Sequence, residues 1–203
     1  MAKYLISFLL TCLFSIAPLP AANKTAAAPD PKSFGSNTAP IMIEEFSDYQ
    51  CPACRELYLE TIKKVMTDYV STGKVYLVMH DFPLPAHAYS KLAAQYANAA
   101  AKVNKFETVS NELFQKQSVW APTGNIDAIV AAVLTPVEMT KLRQALKDPA
   151  IDQGIAADIA LGTKAGLRQT PTMIITRNLR TYPMSGVISY PILKRFLDDL
   201  LTK

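Results

Sequence analysis

Two of the three cysteines in this chain, Cys51 and Cys54, stand in a C-x-x-C pair at the start of a segment with helical spacing. Pro52 suits the first turn of a helix. Leu59, Ile62, Val65, Met66, Tyr69 and Val70 then recur at helical intervals until Ser71-Thr72-Gly73 stops them. A sulfur just ahead of a helix faces free amide hydrogens and the positive end of the helix dipole, so Cys51 favours its thiolate. A free cysteine has a pKa of about 8.5, and helix-start C-x-x-C cysteines fall to roughly 3.5 to 7.5. A fall of about two units stabilises the thiolate by about 2.7 kcal/mol. In a two-electron couple that makes the disulfide more oxidising by roughly 60 mV. The spacing therefore predicts a labile disulfide. Cys54, one turn into the helix, is expected to be the more buried sulfur and to act as the resolving thiol. Ala53 has no polar side chain to hold the Cys51 sulfur, which limits the depression to a moderate one. Two rival readings use the same cysteines. An inert structural disulfide is disfavoured because so short a loop at a helix start is strained. A metal site would need the only two histidines, His80 and His87, to converge on Cys51 and Cys54, and their spacing fits no structural-zinc pattern. Both histidines otherwise read as surface or boundary residues.

The setting of the pair is set by the N-terminus. Residues Tyr4–Ala17 form an uncharged, largely apolar run behind Lys3, followed by Pro18, Pro20 and the small pair Ala21-Ala22. This reads as a secretory signal over residues 1–22, cleaved near Ala21 or Ala22; a retained anchor is the alternative, although the run is short of the roughly 20 apolar residues a span needs. Cys12 goes with the signal. The exported chain then keeps only Cys51 and Cys54, in a compartment where disulfides form and persist. At 203 residues, half of them hydrophobic, the chain is long and apolar enough to bury a core without disulfide staples. Its formal net charge of +4, with no run of Lys and Arg, gives no footprint for nucleic acid. No residue pattern calls for a cofactor, and the six methionines beyond Met1 are scattered through apolar stretches that core packing explains.

The elements that must position the pair follow from periodicity. Residues 23–40, rich in Ala, Pro, Ser and Asn, read as a flexible lead-in. Ile41, Met42, Ile43 and Phe46 predict a buried strand, and Lys74–Met79 a second one ended by Asp81-Phe82-Pro83-Leu84-Pro85. Ala86–Gly166 contains Ala-rich and amphipathic stretches without a convincing strand, which predicts several helices. Thr172–Thr176 and Thr181–Val187 return to strand composition across a polar turn at Arg177-Asn178. A stripe of Ile192, Leu193, Phe196, Leu197, Leu200 and Leu201 closes the chain as a helix behind Ser189.

The segment Glu45-Phe46-Ser47-Asp48-Tyr49-Gln50-Cys51-Pro52-Ala53-Cys54 resembles the active-site strand and helix start of the DsbA-like thiol:disulfide oxidoreductases of the thioredoxin superfamily. Phe82-Pro83-Leu84 followed by His87 is similar to the segment leading into their inserted helical domain, and Thr170-Pro171-Thr172 resembles the cis-proline loop that faces their C-x-x-C. The three motifs stand in family order. The resemblance implies an α/β chain with a thioredoxin-like fold made from residues 41–83 and 168–203, carrying a helical insertion at 84–167. It implies that Cys51 exchanges with substrate, that Cys54 resolves, and that Thr170 and Pro171 bind an extended substrate segment by strand addition. It places Glu45 as a buried acid that relays protons near the resolving thiol, with Pro52 and Ala53 tuning the pair. DsbA carries a histidine at the position of Ala53, so its extreme oxidising poise does not carry over. Residues 23–40 are too few for the dimerisation domain that precedes the catalytic domain in isomerase relatives, which favours a monomer. The expected function is an exported dithiol oxidase acting on reduced or misoxidised secreted proteins and reoxidised by a membrane thiol-redox partner. The alternatives are a reductase or isomerase of the same fold, or a periplasmic metal-binding protein using the C-x-x-C.

Overall fold

The computed structural model of the chain describes residues 30–202, so the signal reading of residues 1–22, Cys12 and the first part of the lead-in lie outside the described residues. Five strands form one mixed sheet in the order β1-β3-β2-β4-β5. They are β1 (Ser33–Phe34), β2 (Ile41–Ser47), β3 (Val75–Asp81), β4 (Thr172–Arg177) and β5 (Arg180–Ser185). β2 is central, parallel to β3 and antiparallel to β4. Its side chains alternate across the sheet, as period-2 geometry requires. Ile41, Ile43 and Glu45 turn to one face, all fully buried, and Met42, Glu44 and Phe46 to the other. β5 carries Pro183, which a sheet edge tolerates because the missing N–H removes no inner ladder bond. The β4–β5 hairpin turns on Asn178 and Leu179, both at positive φ (48° and 63°), one residue beyond the turn expected from composition. Two consecutive left-handed residues match the right-handed twist of the flanking strands.

The helix that follows the cysteines, α1, runs over residues 52–70, α-helical at Pro52–Leu57 and Lys63–Val65 with wider π-type turns at Tyr58–Ile62 and Met66–Val70. Leu57, Tyr58, Ile62, Val65 and Tyr69 face the core. Six helices connect β3 to β4: α2 (Ser90–Ala101), α3 (Phe106–Gln115), α4 (Gln117–Trp120), α5 (Ile126–Ala131), α6 (Pro136–Ala145) and α7 (Pro149–Lys164). Pro136 and Pro149 start helices rather than ending them, behind the caps Thr135 and Asp148. The chain closes on α8 (Tyr190–Thr202), packed beside α1 through Leu193, Leu197 and Leu200 and joined to it by hydrogen bonds from Thr61 Oγ1 to the Ile188 carbonyl (2.9 Å) and from Tyr69 to Asp198 (2.6 Å). α7 lies on the opposite face of the sheet. A Cβ at Gly162 would come within 2.7 Å of the Phe82 ring and 3.1 Å of the Phe46 ring, so only glycine lets this helix approach the sheet there. No helix among the described residues is long and apolar enough to cross a membrane.

Two expectations are corrected here. Residues 30–40 are not a flexible lead-in: Ser33 and Phe34 pair with Val78 and Leu77 as an edge strand, and Lys32 is 6% exposed. Composition hid this because a single lysine carries the anchorage. Lys32 Nζ bonds Asp81 Oδ2 at 2.7 Å and Asp158 Oδ2 of α7. His80 is likewise not a surface residue but lies buried in the same cluster, its Nδ1 2.8 Å from Asp158 Oδ1 and its Nε2 3.3 Å from Glu44 Oε1. Burial alone would lower its pKa, but the two acids overcome this and push it up to about 9. β3 runs on through His80 and Asp81, past the end expected at Met79, because the cluster gives both polar side chains partners. Replacing Lys32 with alanine leaves Asp81 a buried carboxylate with no cation of its own, only the Asn98 amide, and leaves Asp158 with His80 as its remaining cation, a loss worth about 3–5 kcal/mol. Denaturant unfolding of Lys32→Ala is expected to show a loss of that size, and a loss below about 1 kcal/mol would contradict the latch.

Candidate active site

β2 ends at Ser47, and the turn Asp48–Gln50 carries the chain into α1. Cys51 is the N-cap of that helix, in extended geometry (φ −77°, ψ 122°), with Pro52 at the first helical position. Both cysteines are free thiols. Cys51 is 7% exposed and Cys54 is fully buried. The Cys51 thiol points to the Thr170 carbonyl at 3.7 Å, and the Thr170-Pro171 bond is cis, so the loop before β4 stands directly against the helix start. Pro52 is exposed and Ala53 half-buried at the rim.

The two sulfurs are driven apart in acidity. The hydrogen bond from the Cys54 thiol does most to hold the Cys51 sulfur as an anion, against the cost of burial. The N–H groups of Cys54 and Ala53 and the Thr170 side chain add to it, and Cys51 is pulled down to about 5. Burial pushes the Cys54 thiol far up, and its hydrogen bond to Cys51 and the charge of Glu45 add to that. The Asp48 N–H donates to Cys54 Sγ at 3.4 Å. Glu45 lies beneath the pair in mid-strand, fully buried, with no hydrogen-bond partner for either carboxylate oxygen. Burial pushes it up to about 7. It is thus a carboxyl that exchanges its proton near neutral pH.

Four residues of the site gave no separate signal in the sequence. The Asp48 carboxylate, fully buried, accepts from the Gln50 N–H (2.7 Å), the Leu84 N–H (2.8 Å), the Ser90 hydroxyl and His87 Nδ1 (2.7 Å). It ties the cysteine turn to the segment entering the helical block. Gln50 bridges the other side, donating to the Ala121 carbonyl (3.1 Å) and accepting from the Tyr89 N–H (2.7 Å). Tyr49 bonds Ser110 at 2.8 Å and packs on Phe114, and Gln117 reaches the backbone of the turn itself. The aspartate i to amide i+2 bond of Asp48 is an Asx-turn habit that the sequence could have suggested; the two glutamines have no such local marker. Of the two histidines, His87 belongs to this outer ring through Asp48, whereas His80 stacks on Phe46 (4.6 Å between ring centroids) in the Lys32 cluster. Neither contacts a cysteine sulfur by hydrogen bond or ion pair, and among the described residues no group of three or more His, Cys, Asp or Glu is placed to hold a metal ion.

The lowered pKa of Cys51 fixes its pH dependence. The anion is essentially complete from about pH 7 upward and is lost as pH falls through about 5. The stability that the thiolate lends to the reduced fold is complete above the unfolded thiol's pKa, near 8.5, and is lost as pH falls from there through about 5. Alkylation of Cys51 is therefore expected to be level from about pH 7 upward and to fall with a midpoint near 5. A rate still rising between pH 7 and 9 would contradict the geometry.

Known proteins place this arrangement. A thioredoxin family model matches residues 27–198, most of the chain. The probable disulfide bond formation protein D of Bacillus cereus is 26% identical over 163 residues, covering 77% of this chain and 75% of that protein. The protein of the same description in Bacillus anthracis is 25% identical over 187 residues, covering 89% and 83%. Among solved structures, alpha-DsbA1 of Wolbachia pipientis superposes with a TM-score of 0.70 at 21% identity, over 92% of this chain and 94% of that one. Oxidised BdbD of Bacillus subtilis gives 0.68 at 22% identity over 85% and 93%. The inserted helices between β3 and β4, the cis Thr170-Pro171 bond and the C-x-x-C at the start of α1 thus sit on a fold shared with those DsbA structures, and the chain belongs to the thioredoxin family.

Proposed function

We propose that this thiol:disulfide oxidoreductase works outside the cytoplasm as a dithiol oxidase that donates a Cys51-Cys54 disulfide to secreted proteins. The observation that carries the reading is the split between the sulfurs: an anion on Cys51 at neutral pH beside a buried, protonated Cys54. A stable thiolate is a good leaving group, and a fold that stabilises it holds its disulfide weakly. The exchange balances as follows. A substrate thiolate attacks Cys51 Sγ, forming a mixed disulfide and breaking the Cys51–Cys54 bond. Cys54 leaves as a thiolate and takes a proton, for which Glu45 is the buried donor. A second substrate thiolate then attacks the substrate sulfur, the substrate disulfide forms, and Cys51 leaves as the anion. Two substrate thiols are oxidised and the pair is reduced. The substrate segment lies along the Thr170-Pro171 loop, whose carbonyl stands beside Cys51. A membrane thiol-redox partner reoxidises the pair. Export rests on the apolar run of residues 4–17 and on the relatives named for disulfide bond formation.

One observation favours running the cycle in reverse. Ala53 offers the Cys51 sulfur no side-chain donor, so the backbone, Thr170 and Cys54 hold the anion without help from the residue between the cysteines. A reductase or isomerase would rest mainly with both thiols free, and thiol trapping of the exported protein distinguishes the two.

The equilibrium potential of the pair against glutathione is expected to lie above thioredoxin's, about −270 mV, with net oxidation of a reduced model protein. A potential that low, with no net oxidation, would sink the oxidase reading. Cys54→Ser is expected to leave attack at Cys51 intact and block release, so mixed disulfides with secreted proteins accumulate. If a folded Cys54→Ser protein traps none, the resolving role of Cys54 is wrong.

A further inference from the structure

The turn that presents Cys51 is held from outside by one side chain. Gln117, the first residue of α4, is 5% exposed, and its Nε2 donates to the Tyr49 carbonyl at 2.7 Å and to the Cys51 carbonyl at 2.9 Å. One amide nitrogen has two hydrogens, so it satisfies both bonds, and the two acceptors flank Gln50. The Cys51 carbonyl also receives the first bond of the catalytic helix, from the Arg55 N–H at 3.1 Å. Gln117 therefore grips the peptide at which the turn becomes a helix. Its own base is fixed: Trp120, at the other end of α4, is fully buried and donates its indole N–H to the Leu113 carbonyl at 2.7 Å.

The stabilisation of a thiolate by a helix start depends on direction. The sulfur must sit over the amides of Ala53 and Cys54, and that placement depends on the backbone torsions of Cys51. Asp48 fixes the turn from inside the site, by accepting from the Cys51 N–H at 3.0 Å and from the Gln50 N–H. Gln117 fixes the carbonyl side, from the helical block. We propose that Gln117 is a positioning residue for thiol exchange, holding the Tyr49 and Cys51 carbonyls so that the Cys51 sulfur stays over the amides of Ala53 and Cys54. The helical block then contributes to the chemistry at Cys51 as well as to the surface around it. This deepens the oxidase reading and rests on it only for its consequence in the cell.

The test is read on the purified, reduced full-length protein. Gln117→Leu keeps the volume and removes both donors. The pH midpoint of Cys51 alkylation is expected to rise by about one unit, tenfold in the thiol equilibrium, and the potential of the pair to fall by about 30 mV. Tyr69→Phe removes a hydrogen bond to Asp198 far along α1; it serves as the stability control, and is expected to lower the melting temperature without moving the midpoint. Should Gln117→Leu fail to fold, Gln117→Asn, which withdraws the same amide by one methylene, is read identically. A midpoint equal to that of the parent in the folded variant would overturn the role of Gln117, whatever its melting temperature. Such a result would leave the oxidase reading standing, since that reading is judged on the sign of net exchange in the parent protein.

Discussion

The state of the Cys51 sulfur depends on groups brought to it from separate parts of the chain. Cys54 and the amides of the first turn come from α1, and Thr170, whose carbonyl stands 3.7 Å from the Cys51 sulfur, comes from the loop ahead of β4, more than a hundred residues later. No local peptide could assemble them. The sheet does so because β2 and β4 are hydrogen-bonded neighbours, which brings the turn after Ser47 and the loop before Thr172 to the same end. The same sheet buries Glu45 between Met79 and Met173, where a carboxylate finds no partner and its proton becomes easy to exchange near neutral pH. Fold and reactivity are one electrostatic arrangement here: Cys54 is kept neutral by burial, and being neutral it can donate to Cys51.

The helical block serves that arrangement through direct bonds to the cysteine turn and its neighbours. Gln117, Ser110 and the carbonyls of Ala121 and Phe114 reach Tyr49, Gln50, Cys51 and Arg55. Rings of Tyr49 and Tyr58 stack on Phe114 at 4.8 and 4.6 Å. On the far face, Asp158 of α7 joins Lys32, His80 and the Asp81 amide, so the block, β3 and the segment before β2 are held together by buried charge. Such a cluster is weak evidence for net stability, but removing one partner is costly, which makes it a specific lock on how the block sits against the sheet.

Much of this was legible in the sequence, and the rest was hidden for physical reasons. Strong apolar periodicity marked β2, α1 and α8, and the residue types of Cys51-Pro52-Ala53-Cys54 and Thr170-Pro171 carried their chemistry openly. The edge strand at Ser33–Phe34 was illegible because two residues carry no period, and its anchor is one lysine whose acids lie 49 and 126 residues away. His80 read as a boundary residue because its partners, Glu44 and Asp158, come from a neighbouring strand and a distant helix. Gln117 stood as one polar residue in a helical stretch, and only the folded turn shows that its amide meets two carbonyls. Asp48 was the intermediate case: its bond to the Gln50 amide is local and readable, while its bonds to Leu84, His87 and Ser90 are tertiary.

If the fold stabilises the Cys51 thiolate, thermodynamic linkage requires the disulfide to be less stable in the folded chain than in the unfolded one, and the folded chain to be less stable with the disulfide than without it. The measurement that reaches the claim most directly is denaturant unfolding of the oxidised and reduced forms side by side at pH 7. The account predicts that the reduced protein unfolds at the higher denaturant concentration, even though a disulfide ordinarily stabilises a chain by restricting its unfolded state. An oxidised form as stable as the reduced one, or more so, would contradict it.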